Sequence, residues 1–370
     1  MNCTRFVTGS LAAFAIAVLS LGCTHHDHRV EGAASGPRYQ VDPFWPKPLP
    51  NAWIMGQVAG IATDSRGQIW VLHRPGSLTD DEKGATLNPP TIKCCRPAPP
   101  VLVFDAQGNL LRSWGGPGTG YNWPKNEHGI HVDANDNVWL GGNDMADHMV
   151  LKFTLDGKFL LQIGKPGLSG GSNATDQLGR PAHMEVDAAA NELFIADGYQ
   201  NRRVIVFDAT SGLYKRHWGA NGSRPDDRKI PPHNVDSQQF GNPVHCVRLT
   251  RDGLVYVCDR TNNRIQVFRR DGRFVFQFVL EPNTLAQGSV WDMVPSEDAE
   301  QKYLLVADGA NNEVHILVRV TGERIGAFGR SGRNAGDFHW VHNIAVDAKG
   351  SLYTSEVDTA KRVQKFRRVN

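Results

Sequence analysis

The chain has 370 residues, with 40 Lys and Arg against 38 Asp and Glu for a net charge of +2, and it carries 38 glycines. Charge so close to balance offers no basic field for nucleic acid and no broad surface for an acidic partner. No long helical apolar pattern runs through it, and its glycine and aromatic content fits many short strands joined by tight turns, so one large closed all-β fold competes with two or three smaller domains.

Residues 1–22 read as a leader. Arg5 gives a positive start, and the apolar run Leu11–Leu21 is short for a membrane span. The run ends in Leu19-Ser20-Leu21-Gly22-Cys23, which resembles a lipoprotein cleavage box, so Cys23 is expected to become a lipid-bearing N-terminus. The alternative is ordinary cleavage nearby and release. Either way the mature protein is expected to be exported, to the cell envelope or periplasm, with membrane contact only through the lipid at Cys23. Residues 23–38 read as a flexible tether, and His25-His26-Asp27-His28 within it as a solvated tail rather than a metal site.

From residue 39 onward the pattern repeats. A turn glycine is followed six residues later by a bulky apolar residue: Gly108 and Trp114, Gly157 and Ile163, Gly212 and Trp218, Gly272 and Phe278, Gly322 and Phe328. Each unit also holds an earlier hairpin, whose first strand runs into Asp64, Asp133, Asp187, Thr250, Ser296 or Asp347. Six units of about four strands, each about 40–50 residues long, predict a six-bladed β-propeller of residues 39–370. The last unit is one strand short, and Tyr39-Gln40-Val41-Asp42-Pro43-Phe44-Trp45 has strand character without another home. It is expected to close the ring as the outer strand of blade six. The Pro-rich stretch from Pro75 to Pro100 reads as a surface insertion in blade one. Cys94 and Cys95 within it receive no assignment. Cys246 and Cys258 flank the Arg251-Asp252-Gly253 turn, where a cross-hairpin disulfide stays open.

Counting back five residues from the six anchors gives His128, His245 and His342 in blades two, four and six, and Ala59, Ala182 and Trp291 in the others. Innermost strands surround a propeller axis, so alternate blades place three imidazoles about 120° apart, converging on one point. Three ligands with an open fourth position describe a catalytic metal site, with zinc the first choice and copper or iron left as alternatives. His131 and His183 lie just off this register and read as hydrogen-bonding groups between blades. Ten residues after the anchors of blades one and four come Arg74 and Arg260, and blade three carries Asp197-Gly198-Tyr199 at the corresponding turn. Arginine grips carboxylates through paired hydrogen bonds, and a phenol among cations suits a general base. The set points to a small-molecule or peptide substrate with a carboxylate and a coordinating oxygen.

The stretches Asp197-Gly198-Tyr199-Gln200-Asn201-Arg202-Arg203, Pro243-Val244-His245 and Cys258-Asp259-Arg260-Thr261-Asn262-Asn263-Arg264-Ile265-Gln266 resemble peptidylglycine α-amidating lyase, an NHL-repeat propeller. His128-Gly129-Ile130, Val341-His342-Asn343-Ile344 and Leu72-His73-Arg74 fit further motifs, and the resemblance runs over roughly residues 39–370. It implies zinc on His128, His245 and His342, a catalytic Tyr199, functional Arg74 and Arg260, and cleavage of a peptidyl-α-hydroxyglycine to a peptide amide and glyoxylate. Three departures stand out. The family's structural calcium uses an aspartate where Asn343 stands, leaving backbone carbonyls near Ile61 and Ile130 as calcium donors. A family cysteine is replaced by Gln200, and the copper monooxygenase partner is not on this chain. Two other readings remain: a non-catalytic NHL propeller that binds protein or glycan, and a metal-dependent lactonase, which would want carboxylate ligands at the axis.

Overall fold

The computed structural model describes residues 36–369; the leader, Cys23 and the histidine run of the tether lie outside them. Among the described residues all regular structure is β-strand, apart from four short 3-10 turns. The strands form six four-stranded antiparallel sheets. Blade one is Gln57–Thr63, Ile69–Arg74, Val101–Phe104 and Leu110–Trp114, and blade two is Glu127–Val132, Asn137–Gly142, Met149–Thr154 and Phe159–Gly164. Blade three comprises His183–Asp187, Glu192–Asp197, Arg203–Asp208 and Tyr214–Trp218. Blade four comprises Val244–Leu249, Leu254–Asp259, Arg264–Arg269 and Phe274–Val279. Blade five holds Asp292–Pro295, Tyr303–Asp308, Glu313–Val318 and Arg324–Phe328. Blade six holds Val341–Val346, Leu352–Glu356 and Arg362–Arg368, and its outer strand is the N-terminal Tyr39–Asp42, in register Tyr39↔Arg368 to Asp42↔Lys365.

The repeated anchors explain the inner hairpins. Asp64 accepts the N–H groups of Arg66 and Gln68 and the indole N–H of Trp70 at 3.0 Å. Asp133 does the same for Asn135, Asn137 and Trp139, and Asp347 for Lys349, Ser351 and the Tyr353 hydroxyl. One carboxylate thus satisfies the donors of a tight turn and pins an aromatic residue six positions on. The outer hairpins turn on glycines with positive φ, from 72° at Gly212 to 91° at Gly108. A side chain there would also collide with the neighbouring blade. A Cβ at Gly157 or Gly272 would lie 2.8 Å from the Trp114 or Trp218 ring, and at Gly108 it would lie 2.9 Å from Trp45. Trp45 therefore plays, for blade six, the part that the outer-strand aromatic plays in other blades.

Six apolar clusters fill the six seams between neighbouring blades. The closing seam joins Trp45, Ala345, Tyr353 and Val363 to Val58, Val71 and Phe104. Stability is thereby spread around the ring, since each seam buries apolar side chains from two neighbouring blades. The blade-one insertion is largely exposed and is tied down by a two-residue parallel pairing of Trp53–Ile54 with Arg96–Pro97 and by Lys361, which donates to the Ser77 carbonyl at 3.0 Å. Cys94 and Cys95 are bridged to each other within it, and Cys246 and Cys258 face each other across blade four and are also bridged.

Candidate active site and metal centre

The three ring histidines sit at irregularities in their strands. His245 lies between the pairs Val244↔Asp259 and Cys246↔Cys258, and His342 between Val341↔Glu356 and Asn343↔Ser355. In blade two, His128 and Gly129 together face a single residue of the neighbouring strand. A bulge re-aims a side chain that regular pleating would send into the seam. All three imidazoles consequently point to the axis, with ring centroids 4.7 to 5.2 Å apart. Their ligand nitrogens lie within 4.8 Å of one another, so the three could hold a metal ion.

Hydrogen bonds fix which nitrogen is offered. His128 Nδ1 donates to the Ala182 carbonyl at 2.7 Å, and His245 Nδ1 donates to the Trp291 carbonyl. His342 Nδ1 donates to the side-chain oxygen of Asn343 at 2.5 Å. An oxygen acceptor at Nδ1 leaves the Nε2 lone pair facing the axis, the tautomer that a metal takes. Burial drives His128 and His245 well below the usual histidine range, and burial together with Arg74 and Arg260 takes His342 down to about 3. Three neutral, pre-oriented Nε2 donors fit zinc chemistry.

Tyr199 closes this cluster from the rim. Its hydroxyl stands 3.0 Å from His128 Nε2 and 3.1 Å from His245 Nε2. The turn that carries it is built on Asp197, whose buried carboxylate accepts from Gly179 N, Asn201 Nδ2 and Arg203 Nε. Asp259 repeats the arrangement with Gly241 N, Asn262 Nδ2 and Arg264 Nε, and so supports Arg260. Gly198 is required beside Tyr199 because a Cβ there would lie 2.0 Å from the Val244 carbonyl oxygen.

Arg203 and Arg264 are therefore structural ion-pair partners, at 2.9 and 2.7 Å, on fully buried aspartates. Arg74 and Arg260 differ. Arg74 donates to the Glu127 carbonyl at 2.7 Å, to Gln57 Oε1 at 2.8 Å and to Asn143 Oδ1 at 3.4 Å. Arg260 reaches the Tyr199 hydroxyl at 3.5 Å and Gln287 Oε1 at 3.3 Å, and lies over the Trp291 ring at 4.5 Å. Among the described residues neither guanidinium has a carboxylate within 4.0 Å. Burial lowers both from the usual arginine value. Glu127, whose main-chain carbonyl accepts from Arg74, has its carboxyl pushed up to about 7 by burial and takes the Trp123 indole N–H. Both cations line one cavity of about 210 Å³ together with Tyr199 and His342.

The same cavity contains residues the sequence reading did not single out. Gln57, Trp340 and Asn143 line it. Arg180 lies over the Tyr199 ring at 5.7 Å. A register signal was available for all of them. Gln57, Arg180 and Trp340 each stand two residues before a ring position, and Asn143 occupies in blade two the position of Arg74 and Arg260. His131 takes no part in the cluster; its Nε2 accepts the Val186 N–H of the next blade at 3.2 Å.

Comparison with known proteins agrees with this architecture. The NHL repeat profile matches residues 244–268, in blade four. The chain is 32% identical over 353 residues to peptidyl-alpha-hydroxyglycine alpha-amidating lyase 2 of Drosophila melanogaster, covering 90% of this chain and 77% of that protein. It is 28% identical over 345 residues to the lyase 1 of the same organism, spanning 85% of this chain and 59% of that one. Mouse NHL repeat-containing protein 3 is 27% identical over 351 residues, with coverages of 89% and 84%. Among solved structures a streptogramin B lyase superposes with a TM-score of 0.52 at 11% identity, over 90% of this chain and 98% of that one, a likeness of fold alone. The chain belongs to the peptidyl-α-hydroxyglycine α-amidating lyase family of NHL-repeat propellers.

Proposed function

We propose that this protein is a metal-dependent carbon–nitrogen lyase that splits an N-acyl-α-hydroxyglycine into an amide and glyoxylate. One observation carries the reading: two buried guanidiniums, without a carboxylate partner among the described residues, face the same cavity as Tyr199 and His342. A buried unpaired cation is costly, and a substrate carboxylate relieves two of them at once. The names of the family's insect members support the same reaction.

In this mechanism Arg74 and Arg260 grip the carboxylate and so place the α-carbon beneath Tyr199. Gln57 and Gln287 keep the two guanidiniums turned to the cavity. Tyr199 acts as its phenolate, beside the Arg260 guanidinium, and its Oη takes the proton of the α-hydroxyl. The oxygen's electrons form the aldehyde C=O of glyoxylate as the C–N bond breaks, and the departing amide nitrogen takes that proton back from Tyr199, which restores the phenolate. The chemistry that a zinc ion held by His128, His245 and His342 supplies is polarisation of a bound oxygen. Trp291, Trp340 and Val357 give the cavity an apolar wall.

We further propose that the domain acts outside the cytoplasm, tethered through Cys23. The Cys246–Cys258 bridge supports an oxidising compartment. Likeness to NHL repeat-containing protein 3 over most of both chains favours a second reading, a binding propeller. Metal analysis of the purified domain together with glyoxylate release from benzoyl-α-hydroxyglycine separates the two. Zinc near one per chain with glyoxylate release is the expected result. Neither metal nor release, after reloading with zinc, leaves the binding propeller.

A further inference from the structure

The family resemblance implies a structural calcium on the propeller axis, and the side chains at Asn343 and Asp292 do not fit one. Calcium wants six to eight oxygen donors in a flexible shell. Here Asn343, in place of the family aspartate, turns its side-chain oxygen to His342 and its Nδ2 to Asp292 Oδ2 at 2.9 Å. Asp292 is fully buried, and a cation already occupies it. Arg248 Nη2 donates to Asp292 Oδ2 at 2.7 Å and Arg248 Nε to Oδ1 at 3.2 Å. The same Nη2 donates to the Ile344 carbonyl at 3.0 Å, and Nη1 lies 3.7 Å from Glu185 Oε2. One guanidinium from blade four thus holds an acid of blade five, a carbonyl of blade six and an acid of blade three. A divalent ion placed among these oxygens would meet a like charge and oxygens already engaged as acceptors.

A second asymmetry concerns the histidines. His128 and His245 are each oriented by the main-chain carbonyl of the following blade, at Ala182 and Trp291. His342 is oriented by a side chain instead. Its ring is fixed only as well as Asn343 is, and Asn343 is fixed by Asp292, which Arg248 holds.

We propose that the Arg248 guanidinium is the structural cation of the propeller axis, making calcium dispensable, and that through Asp292 and Asn343 it positions His342 for metal binding. The second half rests on the metal-site reading above. The chain of contacts is His342 Nδ1–H to Asn343 Oδ1, Asn343 Nδ2–H to Asp292, and Asp292 to Arg248. Loss of such outer support lowers metal affinity by about 10–100-fold.

Two measurements test it. The first uses zinc-free full-length protein, equilibrated with millimolar calcium, desalted and analysed for metal, with Tm recorded with and without calcium. No retained calcium and an unchanged Tm are expected, because a ligand that binds only the native state raises Tm. About one calcium per chain, or a calcium-dependent rise in Tm, overturns the proposal. The second titrates zinc against a chromophoric chelator in wild type, Asn343→Ala and Arg248→Met. Asn343→Ala keeps the Arg248–Asp292 pair, so it is expected to retain the wild-type fold and lose zinc affinity about 10–100-fold. Wild-type zinc affinity in Asn343→Ala, or in folded Arg248→Met, overturns the positioning role. Wild type that binds no zinc removes the metal reading, while the calcium measurement still decides the identity of the axial cation.

Discussion

Gly198→Ala tests whether the site depends on the close approach of blades three and four. The added Cβ would lie 2.0 Å from the Val244 carbonyl oxygen and 2.3 Å from its nitrogen, both main-chain atoms that cannot swing aside. Ordinary contact requires the two segments to part by about 1 Å or more. Tyr199 and His245 are the immediate neighbours of these two residues, and the 3.1 Å separation of their Oη and Nε2, which sets how far the phenol stands from the proposed metal position, would widen by a similar amount. A misplacement of that size costs about 100-fold in turnover. Crowding of this kind costs about 1–3 kcal/mol in stability. Steady-state glyoxylate release, metal content and Tm are measured together, with Gly76→Ala as control because a Cβ there meets nothing within 4 Å. The expected result is a folded Gly198→Ala protein with a modestly lower Tm and kcat reduced about 100-fold, against an unaffected control. Wild-type kcat in Gly198→Ala would show that the reaction does not depend on how closely Tyr199 stands to the three histidines.

Tyr199→Phe leaves the three histidines in place, so metal content is expected to stay at the wild-type level while kcat falls by about 10²–10⁴; undiminished turnover removes the tyrosine from the mechanism. His245→Ala takes away one of three donors and is expected to lose the metal, read by metal analysis after desalting, whereas stoichiometric zinc in the variant would contradict a three-histidine centre. The buried His73 accepts the Gly56 N–H at Nδ1 and donates from Nε2 to the Pro99 carbonyl, and burial takes it down to about 4. Its neutral form is favoured by folding, so its stabilisation is complete above the unfolded value of about 6.5 and is lost as pH falls from there to about 4, up to about 3 kcal/mol. Denaturant melts at neutral pH and near pH 4 should show a shallower pH dependence in His73→Gln than in wild type, and equal slopes would refute the assignment.

The propeller was legible because its repeat is chemical as well as hydrophobic. Asp64, Asp133 and Asp347 mark the same turn with the same hydrogen bonds, and Gly108, Gly157, Gly212, Gly272 and Gly322 mark the same outer hairpin. Thr250 and Ser296 replace the acid in blades four and five, and the Ser296 hydroxyl still accepts the Tyr303 N–H of its turn. Convergence of the histidines followed from register alone. What register could not supply was the means of turning them inward. The bulges at His245 and His342 depend on pairing between strands, and no local signal announces them. The Cys246–Cys258 bridge was left open for a similar reason, because directly opposed residues pair only where the local twist brings their side chains together. Arg248 escaped notice because its partners Glu185, Asp292 and Ile344 come from three other blades.

Blades three and five contribute to the histidine cluster through main-chain oxygens, those of Ala182 and Trp291. A carbonyl is common to every residue type. Substitution at 182 or 291 therefore changes what surrounds a ligand without removing the acceptor that orients the imidazole. Even-numbered positions tolerate no such exchange. Position 291 is nonetheless held from a second side, because its ring lies under Arg260 at 4.5 Å and its indole N–H donates to the Gly288 carbonyl, so a smaller side chain there is expected to keep the acceptor for His245 while releasing Arg260.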